Sequence, residues 1–386
     1  MKRRTSIIIL SYNTRQLLQE CIQSIRQYTR PHTYEIIVVD NASHDGSVEW
    51  LGEQNDVHLI ANDKNNGFPG GCNQGLRVAQ GTELLLLNSD TLVTAHWLDN
   101  MLRALYSGKN IGAVGCMSNK CSNRQQIEVS YDNADDMQDF AQKFNRSDKR
   151  LWKPWGVLVG YCFLFKREVW EKVGELDEIF SPGNFEDDDY SLRIRLAGYE
   201  LLLCKDTFIH HHGSASFVQS MTLEERKLKA AKYNQVLAKN KIVFIEKWGI
   251  DSDSWNNVDK ITPHIAELAD ENSRLLLFDM RSTMDLYFLA DKRPDLQLVG
   301  LSTNKVAVDA IATSFPVVYE ENIYTAMDSV DDDFDGVVIL EPLAEAVLEK
   351  NMFCACLQKI SNRNGKMYLS DGKKVYALNY KDLLNS

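Results

Sequence analysis

Short strand-like runs alternate with segments of helical spacing over the first hundred residues of the chain. The runs occupy residues 6–13, 35–39, 57–61 and 84–87. Between the first two runs, residues 15–28 repeat apolar side chains at helical intervals. A continuous apolar run is typical of a strand that is buried on both faces. The alternation therefore predicts an α/β fold with a doubly wound, mostly parallel sheet.

Polar residues stand where three of the predicted strands end. They are Ser11, Tyr12 and Asn13 at the end of the first run, Asp40 and Asn41 after the second, and Ser89 and Asp90 after the fourth. A glycine-rich segment, residues 65–75, follows the third run. Taken singly, each Asp could cap a helix or begin a turn. Because parallel strands end along one sheet edge, where open α/β proteins bind ligands, the four segments together predict a binding site.

A run of four acidic residues extends from Glu186 to Asp189, between two aromatic residues. It follows a polar stretch, residues 118–150, that predicts a long loop over the site, and then a strand at 157–165. Crowded like charges raise the pKa of some carboxyl groups, which suits a general base that works near neutral pH. The alternative is a solvated helix start, because acids are favoured in the first turn.

Three consecutive histidines, His210, His211 and His212, close a strand downstream of the acidic run. Neutral imidazole is a common ligand of divalent cations. Neighbouring side chains on a strand point to opposite faces, so all three do not reach one ion. An exposed polar loop is the alternative, but the position of the triplet favours a ligand role for one histidine.

The motifs resemble, in order, those of a family 2 glycosyltransferase with the A-type nucleotide-sugar fold. The resemblance covers about the first 250 residues, and its motifs lie at residues 6–13, 37–43, 65–73, 87–90, 160–167, 174–177, 185–189 and 210–213. It implies an inverting, metal-dependent transfer of a hexose or deoxyhexose from a nucleoside-diphosphate donor. The acceptor it implies is a hydroxyl of a glycan, a lipid-linked molecule or a protein.

The resemblance also implies roles for individual residues. Asp90 matches the direct ligand of Mg²⁺ or Mn²⁺, and His211 best matches the histidine that completes metal binding, with His210 and His212 as alternative registers. Asp187 matches the catalytic base, with Glu186 as the second candidate. The residues that it implies bind the nucleotide-sugar are Ser11, Tyr12, Asn13, Asp40, Asn41, Gly67, Asn73, Asn88 and Ser89.

Asn88 departs from the family pattern, because many members carry Asp at that position. This difference supports an alternative hypothesis, in which the protein is a catalytically inactive scaffold that binds sugar or protein.

The remainder of the chain predicts a second, smaller α/β domain. A long helix at about 222–247 completes the first domain, so we place the domains at 1–255 and 256–386. Strands at 274–279, 296–301, 336–340 and 366–370, with helices near 284–290, 304–313 and 343–360, resemble a class I methyltransferase-like Rossmann domain.

Residues 280–283, Met-Arg-Ser-Thr, stand where that Rossmann family carries a glycine-rich turn. Because a backbone without glycine cannot closely approach the ligand, we expect no binding of S-adenosylmethionine. The second domain is then predicted to dock the acceptor or to form a homo-oligomer. A bifunctional glycosyltransferase-methyltransferase is the alternative.

Composition narrows the classes of partner and the cellular location. The 386 residues carry a net charge of −11, which argues against nucleic acid as a partner. The eight cysteines form no CxxC pair, and no apolar stretch approaches the ~20 residues that span a bilayer. We therefore predict a protein without a transmembrane segment, located in the cytoplasm or peripherally at the inner membrane face.

Overall fold

The computed structural model describes residues 4–213, 222–250, 258–278, 283–322, 329–330, 333–340, 359, 365–370 and 375–379. The chain divides into two compact units, Met1–Val243 and Phe244–Ser386. The division falls inside a long helix, Leu223–Trp248. The boundary predicted at residue 255 lies beyond the end of that helix.

The N-terminal unit alternates strands and helices in the predicted manner. Its strands are β1 (Thr5–Ser11), β2 (Tyr34–Asp40), β3 (Val57–Ala61), β4 (Glu83–Asn88), β5 (Thr91–Leu92), β6 (Ile111–Ser118), β7 (Trp152–Pro154), β8 (Cys162–Lys166) and β9 (Glu200–His211). Its helices are α1 (Arg15–Tyr28), α2 (Ser47–Gly52), α3 (Gly67–Val78), α4 (Trp97–Leu105), α5 (Ala134–Phe144), α6 (Arg167–Val173), α7 (Glu186–Leu196) and α8 (Leu223–Trp248).

The strands of this unit form one mixed sheet in the order β3-β2-β1-β4-β8-β6-β9-β5, with β7 also paired to β9. The pairs β2–β3, β1–β2 and β1–β4 are parallel, and β6–β9 is also parallel. Strand β8 runs antiparallel between β4 and β6. Six strands therefore run in one direction and β5, β7 and β8 in the other. This confirms the predicted α/β class with a mostly parallel sheet and shows that the sheet is mixed.

Burial on both faces explains the continuous apolar runs. Ile7, Ile8 and Ile9 of β1 are all fully buried, although successive residues of a strand face opposite sides. The register places Ser11 of β1 beside Asp40 of β2, and Leu10 beside Asn88 of β4. The polar strand ends therefore lie along one edge, as expected of parallel strands.

The polar stretch 118–150 was predicted as a loop, and this prediction was wrong in part, because the stretch contains α5. Asn133 caps this helix by accepting a hydrogen bond from the backbone N–H of Asp136. Met137 and Ala141, one helical turn apart, pack with Phe208 of β9 in a small apolar cluster. These few apolar residues are enough to hold a helix against the sheet despite the polar composition around them.

The second unit also contains a mostly parallel sheet. Its described strands are β10 (Arg274–Phe278), β11 (Gln297–Ser302), β12 (Val317–Tyr319), β13 (Gly336–Ile339), β14 (Lys366–Ser370) and β15 (Val375–Asn379), in the order β12-β11-β10-β13-β14-β15. All pairs are parallel except β14–β15. The described helices are α9 (Thr262–Leu268), α10 (Met284–Lys292) and α11 (Lys305–Ile311).

Two predictions about the second unit fall largely outside the described residues. They concern residues 280–282, in place of the glycine-rich turn, and the predicted helix at 343–360, of which only residue 359 is described. The methyltransferase-like resemblance therefore stays a prediction. Among the described helices of the whole chain, none is both long and apolar enough to cross a bilayer.

Candidate active site

The ends of β1 and β2 form a polar corner with an unused carboxylate oxygen. Asp40 is fully buried, and its Oδ1 accepts a hydrogen bond from the backbone N–H of Ser43 at 2.8 Å. Its Oδ2 is also buried but has no hydrogen-bond partner among the described residues. Because a buried acceptor without a partner is costly, this oxygen is suited to receive a donor group from a ligand.

Residues 11–13 form the other side of this corner. Asn13 has a positive φ of 53°, donates its backbone N–H to Ser43 Oγ at 2.8 Å, and accepts from the N–H of His44 at 2.8 Å. Ser11 is buried, and its carbonyl accepts from the N–H of Asn41 at 2.9 Å. Tyr12 is 48% exposed. The corner thus combines a rigid polar floor with a free aromatic ring.

Asn41 and Gly67 shape the glycine-rich segment. The side chain of Asn41 is buried and donates to the carbonyl of Gly67 at 3.0 Å. Gly67 has a φ of 76°, and a Cβ there would come within 2.9 Å of Ser181 Oγ and 3.0 Å of Pro182 Cα. Only glycine combines this φ with so close an approach. The start of α3 can therefore lie against the loop that precedes the acidic run.

Asn73, predicted to lie near the donor, uses its amide for contacts within the protein. Its Oδ1 accepts from the N–H of Leu176 at 2.9 Å, and its Nδ2 donates to the Leu176 carbonyl at 2.9 Å and to Glu178 Oε1 at 3.2 Å. The side chain is buried. Asn73 therefore ties α3 to residues 176–178.

Asp90 and His211 meet where β5 pairs with β9. The pairing of Thr91 with His211 brings Asp90 Oδ1 to 3.2 Å from His211 Nε2. The other ring nitrogen of His211, Nδ1, lies 2.8 Å from the carbonyl oxygen of Lys120. A carbonyl only accepts, so Nδ1 carries the proton. In a neutral His211 the lone pair therefore lies on Nε2, on the side of Asp90.

Further contacts fix the orientation of the His211 ring. It stacks on the Tyr161 ring with centroids 5.2 Å apart, and the His211 backbone N–H donates to Asn119 Oδ1 at 2.8 Å. Burial would lower the pKa of His211, but the bond to Asp90 outweighs it and raises the pKa. Burial would raise the pKa of Asp90, but the bond to His211 outweighs burial. The pKa of Asp90 therefore falls below its ordinary value.

The other two histidines have different surroundings. His210 Nδ1 lies 2.6 Å from the Tyr131 hydroxyl, and burial lowers the pKa of His210 to about 4. His212 Nε2 lies 3.7 Å from Glu20 Oε2. Of the three, His211 is the one that the strand pairing sets against Asp90.

Asn88 and Ser89 are held by backbone and hydroxyl contacts. The N–H of Asn88 donates to the Tyr161 carbonyl at 2.9 Å, and the Ser89 hydroxyl lies 3.0 Å from that of Thr14. These contacts connect the end of β4 to the start of β8 and to the start of α1.

The acidic run begins α7 and contains carboxylates in different environments. Asp187 is half-buried, and its two oxygens accept from the N–H groups of Gly160 at 2.8 Å and Asp188 at 3.0 Å. Burial raises the pKa of Asp187 even though these bonds lower it. Asp189 is fully buried and paired with Arg193 at 2.8 Å, so the run is not simply a solvated helix start.

Glu186 is more deeply buried than Asp187. It is 6% exposed, and its Oε2 has no hydrogen-bond partner in the described part of the chain. Burial, followed by the charge of Asp187, raises the pKa of Glu186 well above its ordinary value. The neutral acid is therefore the favoured form of Glu186 over a wider pH range than in water.

The dipeptide Gly160–Tyr161 connects the two acidic centres. Gly160 donates to Asp187, whereas Tyr161 stacks on His211, the partner of Asp90. Adjacent Cα atoms are only about 3.8 Å apart, so both centres border one short piece of backbone. Both residues belong to the motif at 160–167, but the sequence predicts no role for either of them. Sequence analysis also missed Asn119 and Lys120, whose polar loop carries no local signal of a histidine partner.

Comparison with known proteins relates the N-terminal part of the chain to one family. Residues 6–174 match the family model described as Glycosyl transferase family 2. The match covers the N-terminal part of the chain and agrees with the predicted enzyme class.

The individual relatives have low sequence identity to this chain. The chain is 25% identical over 212 residues to "Glycosyltransferase AglE" of Haloferax volcanii, covering 53% of this chain and 66% of the relative. It is 27% identical over 236 residues to "Uncharacterized protein y4gI" of Sinorhizobium fredii, covering 57% of this chain and 26% of the relative. Among solved structures, mannosyltransferase PcManGT from Pyrobaculum calidifontis, in complex with GDP-Man and Mn²⁺, aligns with a TM-score of 0.43 and 23% identity, covering 56% of this chain and 60% of that one. The chain thus spans between about a quarter and two thirds of the length of these proteins.

Proposed function

We propose that this protein is an inverting, metal-dependent glycosyltransferase that uses a nucleoside-diphosphate sugar. The observation that carries the proposal is the grouping of Asp90 with His211 on one side of Gly160–Tyr161 and Asp187 on the other. A pair of cation ligands and a half-buried carboxylate provide the two functions that sugar transfer needs, stabilisation of the leaving group and removal of a proton. The catalytic domain that we propose extends over residues 1–255.

Asp90, through a carboxylate oxygen, and His211, through Nε2, would hold Mg²⁺ or Mn²⁺. Among the described residues no three His, Cys, Asp or Glu side chains converge as a metal-binding group. Two protein ligands nevertheless fit these ions, which complete their octahedral shell with substrate phosphates and water. The protonated Nδ1 of His211, held by the Lys120 carbonyl, supports this role because it leaves Nε2 as the ligand atom. When bound, the ion would neutralise the charge that develops on the diphosphate.

The polar corner of β1 and β2 would bind the nucleoside. Asp40 Oδ2 has the position and the free lone pairs to accept a hydrogen bond from the base or ribose. The exposed ring of Tyr12 offers a stacking surface for the base. Ser11, Asn13 and Asn41 would keep this corner rigid, and Ser89 and Asn88 would border the diphosphate.

Gly67 and Asn73 would act on the donor site indirectly. Gly67 lets α3 approach residues 181–182, and Asn73 holds residues 176–178 against α3. We propose that Asn73 positions this wall of the site and does not itself contact the donor.

Asp187 would be the general base. Asp187 is half-buried, whereas Glu186 is only 6% exposed, so Asp187 is the more accessible of the two to an acceptor hydroxyl. The acceptor oxygen would form its bond to the anomeric carbon while the bond to the diphosphate breaks, and the proton would pass to Asp187. Attack opposite the leaving group inverts the anomeric centre. A raised pKa suits the base to work closer to neutral pH.

The acceptor would be a hydroxyl of a glycan, a lipid-linked molecule or a protein. For the second unit we propose a role in acceptor docking or in formation of a homo-oligomer, without S-adenosylmethionine.

A donor screen tests the proposed function. The full-length protein is incubated with a panel of nucleoside-diphosphate sugars and acceptors, with Mg²⁺, Mn²⁺ or EDTA, and released nucleoside diphosphate is quantified by mass spectrometry. We expect turnover with at least one donor, loss of turnover in EDTA, and a product whose anomeric configuration, measured by NMR, is opposite to that of the donor. Donor binding without turnover for any donor would instead favour the inactive scaffold, for which Asn88 is the supporting residue.

A further inference from the structure

A polar cavity of about 520 Å³ lies beside α4 and α5, outside the residues assigned to sugar transfer. Its lining includes His96, Asn100 and Arg103 from α4 and its start, and Lys143 and Arg146 from the end of α5 and just beyond. These side chains offer hydrogen-bond donors in excess of acceptors, which is the composition of an anion site.

Three of the lining residues are cations that are not committed to other partners. Arg103, Lys143 and Arg146 are exposed, and the ion pairs found in the described part of the chain include none of them. One carboxylate lines the cavity, that of Asp99, and its Oδ2 lies 3.7 Å from Nη2 of Arg30. In a chain with a net charge of −11, such a local excess of positive charge requires an explanation.

Asn100 supplies an independent sign of a missing partner. It is 2% exposed, lines the cavity, and its side-chain Nδ2 has no hydrogen-bond partner among the described residues. A buried amide N–H that gives up water without gaining an acceptor costs free energy. An anion in the cavity would provide the acceptor.

Helix ends explain only part of this arrangement. Arg103 and Lys143 lie in the last turns of α4 and α5, where a cation is favoured by the helix dipole. That effect accounts neither for Arg146, which lies beyond α5, nor for Asn100 Nδ2, which has no partner in the described part of the chain.

The cavity is separate from the proposed metal ligands Asp90 and His211, but one of its lining residues is bonded to β9, the strand that carries His211. Asn145, another lining residue, accepts from the N–H of Phe208 at 2.7 Å and donates to its carbonyl at 3.2 Å. Phe208 precedes His211 by three residues on β9, a distance of about 10 Å along the strand.

We propose that this cavity is a binding site for a phosphate-bearing ligand. Arg103, Lys143 and Arg146 would neutralise the phosphate, and the Asn100 amide would donate to one of its oxygens. The volume exceeds that of a bare phosphate, so the ligand would carry the phosphate on a larger group, either a soluble phosphorylated molecule or a lipid headgroup.

Binding is tested on the full-length protein in EDTA, so that no cation recruits phosphate to Asp90 and His211. Isothermal titration with inorganic phosphate and with glycerol 3-phosphate should give saturable binding. The double variant Arg103→Gln/Arg146→Gln should bind phosphate about tenfold or more weakly. Each substitution removes a charge-assisted hydrogen bond to phosphate, and such bonds are stronger than those between neutral groups. The matched control Lys109→Gln/Lys305→Gln removes the same charge and should stay within about twofold of wild type.

A second variant, Asn100→Leu, separates ligand binding from folding. Because the amide lacks a partner without ligand, the melting temperature should be unchanged or higher in phosphate-free buffer, while the rise in melting temperature on adding glycerol 3-phosphate should shrink. Equal phosphate affinity in wild type and the arginine variant, or an undiminished thermal shift in Asn100→Leu, would overturn the proposal.

Vesicle binding identifies the source of the phosphate. Sedimentation with vesicles of phosphatidylglycerol in phosphatidylcholine is compared with pure phosphatidylcholine. Binding that needs the anionic lipid and disappears in Arg103→Gln/Arg146→Gln supports a lipid headgroup. Soluble-phosphate binding without vesicle binding supports a soluble phosphorylated ligand. Neither measurement uses enzyme activity, so the result stands apart from the proposed sugar transfer.

Discussion

The two units of this chain are built from similar layers but differ at the ends of their strands. In the N-terminal unit, β2 ends in Asp40, whose buried Oδ2 has no hydrogen-bond partner among the residues that the structure describes. In the second unit, β11 ends in Ser302, and none of the described residues of this unit has a buried side-chain oxygen or nitrogen without a partner. Its buried Asp285, for example, accepts from Asp259 and Thr262. Similar sheets thus differ in whether polar groups are left for a ligand, which is why function has to be argued from the site.

The largest expected effect is that of Asp187→Asn, which removes the proposed base but keeps the shape of the side chain. The rate of transfer should fall by about 10²–10⁴-fold, the usual contribution of general-base catalysis. Donor affinity, measured by titration, should stay within about twofold, because Asp187 acts on the acceptor. The control Asp309→Asn, an exposed carboxylate in the second unit, should retain normal turnover. Normal turnover of Asp187→Asn would exclude the assignment.

The next largest effect concerns the metal pair. Asp90→Ala and His211→Ala should each weaken Mn²⁺-dependent donor binding by about 10-fold or more, and their donor affinity in EDTA should match that of wild type. His58→Ala, an exposed histidine of β3, serves as the control. If donor binding in Mn²⁺ survives both substitutions, these residues do not hold the ion.

Glu186→Gln should affect stability in a pH-dependent way. The pKa of Glu186 is raised in the folded state, so the folded protein binds more protons and the wild type loses stability as pH rises above the unfolded pKa of about 4.3. The variant should therefore melt higher than wild type near pH 7, by about 2–4 °C for each kcal/mol gained. The advantage should disappear near pH 4. A difference that is independent of pH would show that ionisation of Glu186 is not its cause.

Asn73→Ala should have a smaller effect, mainly on folding. Loss of the amide leaves the backbone groups of buried Leu176 without partners, at a cost of about 1–3 kcal/mol, measured by urea unfolding. Donor affinity should change by no more than about twofold. A large loss of donor affinity with normal stability would restore Asn73 to direct contact with the donor.

The last prediction is that S-adenosylmethionine does not bind. Titration of the full-length protein with S-adenosylmethionine should give no heat of binding, because the segment 280–283 lacks glycine. Micromolar binding would contradict this expectation and favour the bifunctional alternative.

Local patterns were sufficient to predict the strand ends but not their long-range partners. Ser11 and Asp40 could be placed together because parallel strands that start in register also end together. Strand direction could not be read from the apolar run of β8, which a parallel or an antiparallel strand would share. The contact between His211 and Asp90 likewise depends on the pairing of Thr91 with His211, residues 120 positions apart. Alternation along a strand separates His211 from His210 and His212, but only the register sets which face lies against Asp90.

Strand β8 enters between β4 and β6 directly after Gly160 and Tyr161. Asp187, the proposed proton acceptor, and His211, the proposed cation ligand, therefore both contact the two residues that precede a central strand. A displacement of these two residues would move Asp187 and His211 together and leave the distance between them unchanged. Changes in the surrounding loops could then alter which sugars and acceptors enter while the chemical centre keeps its dimensions.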